Sequence, residues 1–121
     1  MILSSSRMGR SACILLALLS ACSEGAAKDL QYIKQARSIG AEWALVNDQA
    51  HSGRVTTVYV QSMHHWLHDS LQTASSSLTQ PQSEYGREIS QLLAEPADAP
   101  PDQLRSHVTK LKQIEDQLES A

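Results

Sequence analysis

The stretch YIKQARSIGAEWALVNDQA, residues 32–50, decides the fold class. Tyr32, Ala36, Ile39, Trp43, Val46 and Ala50 recur at alternating spacings of four and three, which lays one apolar stripe along a helix of about 25 residues. Gly53 supplies its C-terminal stop. Downstream, Thr56 stands where an N-cap is needed, with Val55 and Val60 at the two positions of a hydrophobic staple. Val60, Met63, Leu67, Leu71, Ala74 and Leu78 carry a second stripe. The run VTTVYV at 55–60 also reads as a strand, because β-branched residues dominate it, but no other run offers it a partner.

Pro81 breaks the chain after the weakly helical Ser75, Ser76 and Ser77. Tyr85, Ile89, Leu92 and Leu93 make a short third stripe ended by Pro96. After a loop over 97–101, Leu104, Val108, Leu111, Ile114 and Leu118 give a fourth. Short connections favour antiparallel neighbours, so the expected fold is all-α. It is a small antiparallel bundle of three to four helices, two long, one short and one medium. The two long helices form a hairpin, and the third and fourth close over it.

At 121 residues the chain builds one domain at most. Its formal charge of −3 offers no basic field for phosphate and excludes a dedicated nucleic-acid binder. There is no Phe, so the core rests on Leu, Ile, Val, two Trp and three Tyr, and a deep enclosed pocket would leave too little to pack.

Residues 1–22 read MILSSSRMGRSACILLALLSAC, with Arg7 and Arg10 ahead of an uncharged run from Ala12 to Leu19. That is the layout of a secretory signal, far shorter than the ~20 apolar residues of a membrane-spanning helix. Met8 is a second candidate start. Leu19-Ser20-Ala21-Cys22 follows the apolar run directly and resembles the lipobox of bacterial lipoprotein precursors. The resemblance covers residues 1–22 only. It implies that Cys22 receives a diacylglyceryl group, that cleavage precedes it, and that the anchor holds the protein at the cell envelope. Ser23 after the cysteine implies outer-membrane sorting in a Gram-negative cell, with the domain facing the periplasm. Ordinary cleavage nearby, leaving Cys22 a plain thiol, is the rival; Leu19 three residues before the cut is larger than ordinary cleavage prefers.

The expected organisation is a signal peptide over 1–21, a lipidated N-terminus and short tether over 22–28, and a helical domain over 29–121. Loss of Arg7 and Arg10 takes the charge from −3 to −5. Cys13 leaves with the signal and Cys22 carries lipid, so no disulfide is expected.

The run His64-His65-Trp66-Leu67-His68 is the one cluster with metal-ligating spacing. His64 and His68, four apart, put two imidazoles on one helix face, half of a Zn²⁺ or Cu²⁺ site, whereas His65 faces nearly opposite. A complete site needs His107 or an acidic residue from another helix, and the sequence places none there, so no metal or other cofactor is expected. Trp43 and Trp66 border apolar stripes and are expected to pack between helices, as are Tyr32 and Tyr59, with a ligand groove as the alternative. Lys110, Lys112, Glu115, Asp116 and Glu119 read as a solvated face. No GxSxG, SxxK, HExxH, P-loop or dinucleotide motif occurs, so no catalytic residue is assigned. The expected role is a lipid-anchored envelope protein presenting a helical surface to another envelope component. The alternative is a metal or small-ligand module using His64 and His68.

Overall fold

A computed structural model describes the backbone of residues 2–121 and the side chains from Glu24 onward; the expected signal peptide, the Leu19–Cys22 motif and its lipid site lie outside the described residues. Four helices follow in order: α1 (Ile2–His51), α2 (Thr57–Ser76), α3 (Glu84–Leu93) and α4 (Pro101–Glu119), with no strand among the described residues. The all-α expectation holds.

Local chemistry sets the boundaries. Gly53 takes a φ of 67°, and Gly53 N–H and Arg54 N–H reach back to the carbonyls of Ala50 and Gln49, the paired bonds of a Schellman cap. Thr56 then accepts the Tyr59 N–H on its hydroxyl at 3.2 Å. That cap commits 57–60 to helix and overrides the β-branched content that made a strand conceivable. Ser83 caps α3 through the Gly86 N–H. Pro101 opens α4 at the first helical position, where a missing N–H has no consequence.

The segment expected as a tether is helical. Residues 24–28 continue α1 because Ala26 and Ala27 are strong helix formers and Glu24 stands four residues before Lys28. The Gly25 carbonyl accepts the Thr79 hydroxyl at 3.1 Å, so this turn already belongs to the bundle.

The helices run up, down, up, down: Asn47 meets His64 and Asp29 meets Thr79, Gly40 lies against both Leu92 and Val108, and Lys34 pairs with Glu119. The expected hairpin of α1 and α2 is not the main contact. α1 packs most extensively on α4, because Ala36, Gly40 and Ala44 give it a face of small residues. A Cβ on Gly40 would stand 2.9 Å from Val108 Cγ2, so glycine there permits the approach. The stripe read from 32–50 is therefore one flank of a broader buried face. Ile33, Ala44 and Asn47 are buried beside it, whereas Tyr32 and Ala50 lie at its edge. Leu67, Leu71, Ile89, Leu92, Leu104 and Leu111 complete the core from the other helices.

Candidate functional site

Four polar clusters tie the bundle together, and none was visible as a stripe. Asp29 is fully buried and accepts Thr79 N–H at 2.8 Å, Gln80 N–H at 3.0 Å and the Tyr85 hydroxyl at 2.5 Å. Burial alone would raise its carboxyl, but these hydrogen bonds outweigh it and hold the group below 3.8. The same burial, with the Asp29 bond, pushes the Tyr85 hydroxyl up to about 12.

At the opposite end, Asn47 Nδ2 donates to the carbonyls of Ala97 and Ala99 at 3.0 and 2.9 Å, and Trp43 Nε1 donates to Ala97 at 2.9 Å. With its amide hydrogens committed, Asn47 can offer His64 only an acceptor oxygen. The 2.7 Å contact is thus His64 Nε2–H donating to Asn47 Oδ1, which fixes the tautomer. Burial lowers His64 below 6.5, partly offset by the charge of Asp98.

Glu115, read as part of a solvated face, is buried. It receives Arg37 Nε at 3.0 Å and Lys112 Nζ at 2.9 Å, which hold its carboxyl low against the upward push of burial. Lys112 also reaches Asp116 at 3.0 Å at the surface. His107 is spent between two carboxylates, Nδ1 on Glu88 at 2.7 Å and Nε2 on Glu95 at 3.3 Å, with Lys110 3.7 Å from Glu88.

The histidine cluster and the tryptophans then sort into two concavities. His64 and His68 do share a pocket, of about 270 Å³, with Trp43, Glu95 and Ala97; His65 touches its rim but is largely in solvent, with Nε2 3.2 Å from Asp69. His107 does not line it. Among the described residues no three His, Cys, Asp or Glu side chains are arranged to hold a metal ion. The Nε2 of His64, the atom a chelating pair would use, already points at Asn47.

The second concavity is an open groove of about 590 Å³ between α1 and α2. Lys34, Gln35, Ser38, Ile39 and Glu42 line it from α1, and Trp66, Ser70 and Thr73 from α2. Trp43 is buried as expected, but Trp66 is not packed between helices: it remains 54% exposed. Its position in the sequence, beside rather than on the Met63–Leu67 ridge, places it at the margin of the stripe. Tyr59, seven residues earlier on the same face of α2, is exposed too, and so is Leu45, three residues after Glu42 on α1. Small Ser38 and Ser70 border the indole and leave the hollow open.

No helix among the described residues is long and apolar enough to cross a membrane. No family model matches the chain, and neither the curated proteins nor the solved structures contain a match to it.

Proposed function

We propose that the chain is a lipid-anchored protein of the bacterial envelope that presents the α1–α2 face to another envelope component. The observation that carries the reading is Trp66, a large aromatic left in solvent beside an open groove, with Leu45 and Tyr59 exposed along the same two helices. Grouped apolar side chains in water are the mark of a surface that a partner covers, and tryptophan is prominent among residues that dominate such contacts. The lipobox-like Leu19–Cys22 run supports the anchor.

The test places a photoreactive benzoyl-phenylalanine at position 66 or, for comparison, at the exposed position 117 of α4, in the full chain in cells. Discrete adducts from 66 and none from 117 are expected. The same adduct pattern from both positions, or none from 66, overturns the reading.

One observation favours the second reading, a metal or small-ligand module: His64, His65, His68 and Glu95 border a single pocket. Sub-micromolar Zn²⁺ binding at neutral pH that disappears in a His64→Ala, His68→Ala variant would place it first.

A further inference from the structure

Where the first described turns of α1 meet the end of α4 there is a cleft of about 350 Å³, lined by Ala26, Ala27, Leu30, Leu118 and Ala121. All five of its side chains are aliphatic, with no charged or hydrogen-bonding side chain among them. Aliphatic walls of this kind suit a hydrocarbon chain. Leu30 and Leu118 are only partly buried by the protein, so a further apolar surface could still cover them.

The same end of the domain carries Cys22, four residues before Ala26. Four residues span about 6 Å as helix and at most about 14 Å when extended, so any group on Cys22 starts within easy reach of the cleft. We propose that one acyl chain of the lipid on Cys22 lies along Ala26, Leu30 and Leu118 in this cleft. The proposal rests on the reading that Cys22 is lipidated.

Solvation decides between cleft and bilayer. A methylene leaves water equally well in either, so the chain itself is nearly indifferent. The cleft walls are not: Leu30 and Leu118 shed water when the chain covers them. With one chain held by the domain and the others in the bilayer, the α1–α4 end is fixed against the membrane. The groove beside Trp66, lined by residues 34–42 of α1, then stands about 18–30 Å from Cys22 along the helix.

The experiment uses the full chain in its own membranes. Cells are fed a palmitic acid analogue with a diazirine near the chain end, the membranes are irradiated, and tryptic peptides are analysed by mass spectrometry. The expected result is a cross-link from the Cys22-bound chain to the 113–121 peptide. It should fall about fivefold in Leu118→Gln, and also in Ala27→Gln, which narrows the cleft from an exposed position, while labelling of Cys22 is unchanged. A labelled Cys22 whose chain cross-links only to phospholipid overturns the proposal and leaves the anchor standing. An unlipidated Cys22 removes the anchor reading, and the proposal with it.

Discussion

At one end of the bundle Asp29 accepts N–H groups from the α2–α3 connection, and at the other Trp43 and Asn47 donate N–H groups to the α3–α4 connection. All three side chains come from α1, and neither connection is adjacent to α1 in sequence. The chemistry is opposite because the two connections leave opposite groups unpaired. After α2 the backbone presents free donors at Thr79 and Gln80, and a buried carboxylate takes both. Between α3 and α4, Pro96 and Pro100 have no N–H, and neither has Pro101 at the start of α4, so the stretch is rich in carbonyls and short of donors. An indole and a primary amide supply them. The clamp residue is thus dictated by the hydrogen-bond surplus of the loop it holds.

Asp29→Ala should break the comparison most strongly. It strands the N–H groups of Thr79 and Gln80 and leaves the Tyr85 hydroxyl only its 3.2 Å bond to Gln80 Oε1, and a loss of about 4 kcal/mol in chemical denaturation is expected. A loss below about 1 kcal/mol would mean that the charged clamp contributes little. Asn47→Leu leaves the Ala99 carbonyl without its donor while Trp43 still serves Ala97, so about 2–3 kcal/mol is expected. The neutral clamp should come out weaker than the charged one, and the reverse order would refute the argument.

Acid should separate the two ends further. Asp29 and Glu115 are lowered in the fold, so their contribution is complete above the unfolded values of 3.8 and 4.5 and is lost as pH falls through the lower folded ones. His64 is lowered as well, so the fold favours its neutral form, and that contribution starts to fade already below 6.5. Stability measured against pH should therefore decline in two stages. His64→Gln is expected to remove the first and Asp29→Ala to shrink the second, leaving the part due to Glu115, so that Asp29→Ala and the parent draw together only as pH falls below 3.8 through the lowered folded value of Asp29. The smallest effect belongs to Trp66. Trp66→Ala should change stability by no more than about 0.5 kcal/mol, where Trp43→Ala costs about 4 kcal/mol. A large loss from Trp66→Ala would make that indole part of the fold and withdraw it as a docking residue.

Apolar periodicity and helix punctuation made the elements legible: Thr56 as a cap, Gly53 as a stop, and Pro81 and Pro96 as breaks stand where the sequence rules put them. The clamps were hidden because a polar residue gives no periodic sign of being buried, and Asp29 and Asn47 meet partners about 50 positions away. The dominance of the α1–α4 contact was hidden for a related reason. Ala36 was read into the stripe, but Gly40 and Ala44 are too small to register there, yet the absence of a Cβ at Gly40 is what lets α4 approach. His64 and His68 line one pocket, but the hydrogen bond that occupies His64 depends on Asn47, seventeen residues back on another helix, which helical spacing does not reveal.

The small-residue face of α1 bears on how the chain acquires its structure. Its principal cover is α4, so a nascent chain that stops short of residue 101 has the Ala97 and Ala99 acceptors for Trp43 and Asn47 and has Leu92 against Gly40, but lacks Val108 and the rest of the α4 cover. Contacts between elements so far apart in the chain slow folding. The molecule should therefore form late and all at once: a ribosome-arrested fragment ending near residue 100 stays protease-sensitive throughout, and resistance appears only when α4 is released.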